Sequence, residues 1–153
     1  MKILMVCLGN ICRSPMAEGI MSELVRMKDL DWHIDSAGTG SWHEGESPDR
    51  RAIATCDKFG IDIRHQRARQ IQLRDLDDFD LILTMDRTNY SDVMRLADSP
   101  TQEEKIQLIT AFGDSGYEDV PDPYFDGSFE RVYTLLRTIC GQVLEDIHDE
   151  HMS

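Results

Sequence analysis

No stretch of this chain is apolar for long enough to form a membrane-spanning helix, so no membrane partner is expected. Basic residues are scarce. Sixteen Lys and Arg face 29 Asp and Glu, a net charge of −13. A surface of that sign repels nucleic acid as well as anionic lipid, so no nucleic-acid partner is expected either. Cys-x-x-Cys pairs are missing, as are clusters of Cys and His with metal-ligand spacing. His148 and His151 stand three apart and read as a solvated tail, so no metal is expected. Met1-Lys2 leads into a strand-like run with no small-residue cleavage site behind a long apolar segment, which argues against a secretory signal. Cys7, Cys12, Cys56 and Cys140 then read as reduced thiols of a cytoplasmic protein, not as two disulfides. Repeats, low-complexity tracts and linkers are also lacking. The 153 residues, 41% of them apolar, suit one globular domain spanning 1–153.

Strand-like and helix-like segments alternate along the chain. Lys2–Val6 reads as a fully buried strand, and Pro15–Lys28 as a helix with an apolar stripe at Met16, Ile20, Leu24 and Met27. Trp32–Ser36 is a second strand. Ser47-Pro48 offers an N-cap and first turn for a helix that ends before Gly60. Leu81–Leu83 is a third buried strand, and Asp86 caps a helix that runs to about Leu96. Ile106–Ile109 is a fourth strand. Ser128 caps a last helix with Phe129, Val132, Leu135, Leu136, Ile139, Val143 and Ile147 on one side. This alternation predicts an α/β fold, a parallel sheet with helices on both faces. Sites in such sheets lie at the carboxyl ends of strands.

Cys7 to Ser14, Cys-Leu-Gly-Asn-Ile-Cys-Arg-Ser, falls at such an end, between the first strand and a helix that Pro15 helps to start. The Cys-x5-Arg spacing alone is weak; its position makes it strong. A thiol and an arginine so placed can face one anion held at the helix N-terminus. Gly9 permits an unusual backbone conformation and Asn10 tolerates a left-handed one, so the amides can turn inward as an anion nest. The helix N-terminus and Arg13 favour the thiolate of Cys7, its attacking form. Arg13 offers a planar fork for two phosphoryl oxygens. Ser14 can donate its hydroxyl to the thiolate or cap the helix. Phosphoryl transfer to sulfur also needs a proton for the leaving oxygen, and Asp122 within Val120-Pro121-Asp122-Pro123-Tyr124 is the best source. The two prolines keep Asp122 out of any helix. A further feature is the basic stretch 50–74, with seven Lys and Arg against Asp57 and Asp62. It is either a solvated face paired with acids elsewhere or a positive field beside the anion site.

Cys7 through Glu18 closely resembles the signature of the low-molecular-weight protein tyrosine phosphatases, and Asp122-Pro123-Tyr124 resembles that family's distal acid motif. Ser36–Thr39, Trp42, Ser47-Pro48-Asp49, Ala68-Arg69-Gln70 and Phe79-Asp80 through Asp86 follow in the family's order, so the resemblance covers nearly the whole chain. It implies a three-layer fold with a four-stranded parallel sheet and a phosphate-binding loop after the first strand. It implies that Cys7 attacks phosphorus and forms a phosphocysteine. Arg13 and the amides of Leu8, Gly9, Asn10, Ile11, Cys12 and Arg13 would hold the phosphoryl oxygens, with Asn10 and Ser14 in support. Asp122 would protonate the leaving phenol and then activate water. Trp42 and Tyr124 would wall the substrate cleft together with Ile11, and Cys12 would form a reversible disulfide with Cys7. The implied partners are phosphotyrosine-containing proteins, with inorganic phosphate as product and no cofactor.

The chain also departs from the family. Some relatives carry a histidine two residues before the Ala-Arg-Gln segment, where this chain has Gln66; His65, one earlier, reads as a surface residue. Residue 125 is Phe where some relatives have a second tyrosine. Two other activities share the fold. An arsenate reductase needs relay cysteines after the third strand, and the segment from Leu83 to Ser99 has none. Protein-arginine phosphatases carry Thr at the position of Ile11, whose branched apolar side chain suits a phenyl ring better than a guanidinium. Sugar-phosphotransferase carriers with a cysteine after a first strand lack the arginine, and neither they nor a phosphotyrosine-binding module needs Asp122.

Overall fold

The computed structural model of the protein describes the backbone of residues 1–152 and the side chains of residues 1–150, so His151 lies outside the described side chains. Four strands, β1 (Lys2–Cys7), β2 (His33–Gly38), β3 (Leu81–Thr84) and β4 (Ile106–Leu108), form one sheet in the order β2-β1-β3-β4. Every pairing is parallel. The helices are α1 (Arg13–Met27), α2 (Arg50–Lys58), α3 (Asp75–Asp78), α4 (Arg87–Leu96), α5 (Pro100–Glu104), α6 (Pro123–Asp126) and α7 (Phe129–Met152), with a 3₁₀ turn at Ile109–Ala111.

The apolar run of β1 is buried on both faces because helices cover both sides of the sheet. Ile3, Met5 and Cys7 face a core with Met16, Ile20, Leu136 and Ile139 of α1 and α7. Leu4 and Val6 face the opposite core with Ile71, Leu76, Ile82 and Val93. The period of two along β1 thus divides one strand between two layers. The chain leaves β1 for β2 on one side and returns to β3 on the other, so the carboxyl ends of β1 and β3 open on the crevice where strand order reverses.

Local details differ from the sequence reading. Asp49, not Ser47, caps α2: its carboxylate accepts from the amide of Arg51. α1 starts at Arg13 instead of Pro15, which the ring tolerates because first-turn amides have no helical partner. Met27 is exposed and leaves the α1 stripe. Ile109 leaves the fourth strand for the 3₁₀ turn. The one-turn helices α3, α5 and α6 are too short to show a period in sequence. α6 begins at Pro123, so the prolines place Asp122 at a helix N-cap instead of simply excluding helix. Asp86 caps α4 as expected, accepting from the amide of Asn89. The hydroxyl of Ser128, just before α7, donates to Asp126.

Candidate active site

The loop after β1 is shaped from outside. The carbonyls of Cys7, Leu8 and Ile11 accept hydrogen bonds from the amides of Thr39, Gly40 and Asp49 at 2.9, 2.9 and 2.8 Å. Across a trans peptide the next N–H points the opposite way. The amides of Leu8, Gly9 and Cys12 are therefore turned towards the loop's interior, the geometry of an anion nest. Asn10 takes the left-handed conformation, φ 57°, whereas Gly9 does not have positive φ. Gly9 instead leaves space: a Cβ there would lie 3.2 Å from the His43 ring. Gly38 is tighter still, since a Cβ would lie 2.7 Å from the carbonyl oxygen of Leu8.

A buried polar chain fixes the loop. Ser14 Oγ lies 3.0 Å from Cys7 Sγ. Its place inside the first turn of α1 rules out the capping role and leaves the one beside sulfur. The Asn10 amide donates to Ser14 Oγ at 2.8 Å and to Ser36 Oγ at 3.0 Å, while Asn10 Oδ1 accepts from the amide of Arg69. Ser36 in turn donates to Glu18 at 2.7 Å. With its lone pair engaged by Asn10, the Ser14 hydroxyl keeps its proton free for sulfur. Burial pushes Glu18 up to about 7, against the lowering effect of the Ser36 hydrogen bond. Burial, helped by Asp49 and Cys7, also pushes the Cys12 thiol up, which holds it in the neutral form.

Arg13 is buried at the base of the site. Nη1 donates to Asp86 at 2.7 Å and to the carbonyl of Val120 at 3.0 Å, and Nη2 lies 3.8 Å from Asp122 Oδ2. Asp122 Oδ1 accepts from the amide of Tyr124 as the N-cap of α6. Cys7, Leu8, Gly9, Ile11, Cys12, Arg13, Trp42 and Tyr124 line one cleft with Asp122. Trp42 is 72% exposed, so it belongs to the cleft and not to the core. Arg51 stacks over Tyr124, 5.4 Å from the ring centroid, while also binding Asp49. The rest of the basic stretch is largely paired: Arg64 with Asp57 and Asp62, Arg69 with Asp35 and Asp75, Lys58 with Glu130.

Sequence reasoning missed several participants. His43 and Phe125 also line the cleft, Phe125 at 88% exposure with its ring edge-on to Tyr124. Asp86 was visible only as a helix cap, although an acid at the carboxyl end of a buried strand was the available signal for a partner to Arg13. Gln66 is buried and donates to the carbonyl of Pro15 at 3.1 Å, while His65 is exposed, as its sequence reading implied.

The chain is similar to known proteins along nearly its whole length. The sequence pattern of the low molecular weight phosphotyrosine protein phosphatases matches residues 2–153. The low molecular weight protein-tyrosine-phosphatase YfkJ of Bacillus subtilis is 42% identical over 151 residues, 97% of each chain. Its crystal structure superposes with a TM-score of 0.93, covering 98% of this chain and 96% of that one. The crystal structure of a Drosophila arginine phosphatase is 36% identical with a TM-score of 0.88, covering 96% of this chain and 98% of that one.

Proposed function

Because the chain belongs to the low molecular weight phosphotyrosine protein phosphatase family, we propose that Cys7, Arg13 and Asp122 carry out its reaction through a phosphocysteine intermediate. The protein is a protein-tyrosine phosphatase, and phosphotyrosine-containing proteins are its substrates. The observation that carries the residue roles is the meeting of the three side chains in one cleft, with Arg13 Nη2 3.8 Å from Asp122.

In this reading the inward amides and Arg13 hold the three non-bridging oxygens, and positioning with charge stabilisation does most of the work. Cys7 Sγ attacks phosphorus while Ser14 donates to the sulfur in its thiolate form. The bond from phosphorus to the phenolic oxygen breaks, and that oxygen takes the proton of Asp122. The resulting carboxylate then removes a proton from water, which attacks phosphorus; the P–S bond breaks and phosphate and the Cys7 thiolate are regenerated. Ile11, Trp42 and Tyr124 contact the phenyl ring. The whole chain acts as one catalytic unit. We assign it to the cytoplasm because the reaction needs Cys7 reduced.

Cys7→Ser should abolish hydrolysis of aryl phosphates, and Asp122→Asn should lower it by about 10²- to 10⁴-fold. Rapid quench should trap phosphate on Cys7. Full activity in either variant removes the corresponding assignment. The Drosophila neighbour makes phosphoarginine the natural competing substrate. Ile11 in the cleft favours the phenyl ring, so turnover of phosphotyrosyl peptide should exceed that of a phosphoarginyl peptide.

A further inference from the structure

Three consecutive residues after β3 grip the site in turn. The carbonyl of Met85 accepts from the amide of Val120 at 2.8 Å. Asp86 holds Arg13 at 2.7 Å. Arg87 holds Asp119 through three hydrogen bonds. Its backbone amide and Nε donate to Oδ1 at 2.9 and 3.3 Å, and Nη2 donates to Oδ2 at 3.2 Å. Arg87 Nη1 also lies 3.0 Å from Glu118 Oε2, and the carbonyl of Glu118 accepts from the Thr110 hydroxyl at 2.7 Å.

Asp119 stands three residues before Asp122, on a stretch from Phe112 to Asp122 that has neither helix nor strand. Asp122 itself is tied only lightly: it accepts from the amide of Tyr124 and faces Arg13 Nη2 at 3.8 Å. The chain around Asp122 is therefore located chiefly by Val120 and Asp119. Asp119 is held below the usual carboxylate range by its hydrogen bonds from Arg87 and by the charges of Arg87 and Arg13, against the opposing effect of desolvation.

We infer that Arg87, through its grip on Asp119, is a positioning residue that sets the reach of Asp122 over the leaving-group oxygen. This rests on the reading of Asp122 as the general acid. Exposed ion pairs contribute little to global stability, and segments with few ties are the first to open locally. Loss of Arg87 should thus loosen residues 118 and 119 and shift the backbone that carries Asp122, while Val120, held by Met85 and Arg13, the Cys7 loop and the rest of the fold stay in place. Proton delivery is the step that suffers, since a misplacement of about 1 Å can cost up to about 100-fold. A poor leaving group depends on that proton more than a good one does.

The test is kcat/KM for phenyl phosphate and for p-nitrophenyl phosphate, a constant that ends with formation of the Cys7–phosphorus bond. The proteins are the parent, Arg87→Gln, Asp119→Asn, Asp122→Asn and the double variant Arg87→Asp with Asp119→Arg. Arg87→Gln and Asp119→Asn should each lose about tenfold on phenyl phosphate. They should lose little on p-nitrophenyl phosphate and keep the parent Ki for inorganic phosphate. The double variant should recover part of the loss. Equal losses on both substrates would mark a merely structural role and overturn the inference, as would no loss in either single variant. If Asp122→Asn shows a leaving-group-dependent loss and Arg87→Gln does not, only the positioning role of Arg87 falls. If Asp122→Asn shows none, the acid assignment falls and the role of Arg87 with it.

Discussion

Arg13 and Asp86 are joined at 2.7 Å, with the arginine side chain 4% exposed. The charge that would clamp a phosphoryl group is therefore already neutralised from below by an acid on a different strand end. Asp86 spends its other oxygen on the amide of Asn89, so one carboxylate both starts α4 and aims the arginine. Asp86→Ala leaves a buried guanidinium without its partner and removes a helix cap. It should cost about 3 kcal/mol of stability. Asp86→Asn, which keeps an acceptor for the Asn89 amide, should cost less. Urea unfolding of both variants, paired with Ki for inorganic phosphate, checks this; an Ala variant as stable as the parent would contradict it.

Trp42 lies on Gly40. A Cβ on Gly40 would fall 1.8 Å from the indole ring, so Gly40→Ala has to push the ring aside. The backbone at residue 40 has no positive φ, and the effect is purely steric. Losing one aromatic wall should raise KM for aryl phosphates about two- to tenfold. The affinity for inorganic phosphate, which has no ring, should stay where it is. A parallel rise in the phosphate Ki would show that residue 40 acts on the anion loop instead.

Glu18 links pH to stability. Its carboxyl is pushed up to about 7 from an ordinary 4.5, by burial first, with Asp35 adding and Ser36 and Arg69 opposing. Between those two values the folded protein keeps a proton that the unfolded chain has already released. Stability from this group is therefore highest below pH 4.5 and falls as pH rises to about 7, by at most about 3 kcal/mol. Glu18→Gln still offers Ser36 an acceptor and never ionises. It should stabilise the protein at pH 8 and have little effect at pH 4.5, as read by urea unfolding at the two pH values. A variant that behaves identically to the parent at pH 8 would remove Glu18 from this role.

What was legible in the sequence had a periodic or local cause. The buried run of β1, the stripe of α7 and the Asp86 cap each follow from a few neighbouring residues, and the Cys7 loop follows from its place between β1 and α1. What was hidden depends on side chains that meet only after folding. Asp86 reaches Arg13 from 73 positions away, and Ser36 connects Glu18 with Asn10 across the β1–β2 edge. Asp49 rather than Ser47 caps α2 because its amide is already drawn to the carbonyl of Ile11, a contact no local pattern encodes. Trp42 illustrates the same limit: composition cannot distinguish a core tryptophan from one laid over a glycine at a cleft mouth.

Cys12 occupies the N-cap of α1 without a side-chain cap bond, and both it and Cys7 are free and buried. Burial holds Cys12 as a neutral thiol, so it does not compete as a nucleophile for phosphorus. Peroxide should convert the Cys7 thiolate to a sulfenic acid. That oxidation removes the Cys7 charge that helps to hold Cys12 neutral. Cys12 can then give up its proton and attack the Cys7 sulfur, and the departing hydroxide takes the proton, so the disulfide forms and water is released. Dithiothreitol should restore activity by reducing the bond. In Cys12→Ser the sulfenic acid has no partner and proceeds to the sulfinic acid, so activity lost to peroxide should not return with reductant. Recovery equal to that of the parent would show that Cys12 is a small packing residue and nothing more. Mass spectrometry of the oxidised proteins separates the outcomes directly: loss of two hydrogens in the parent, gain of two oxygens in the variant.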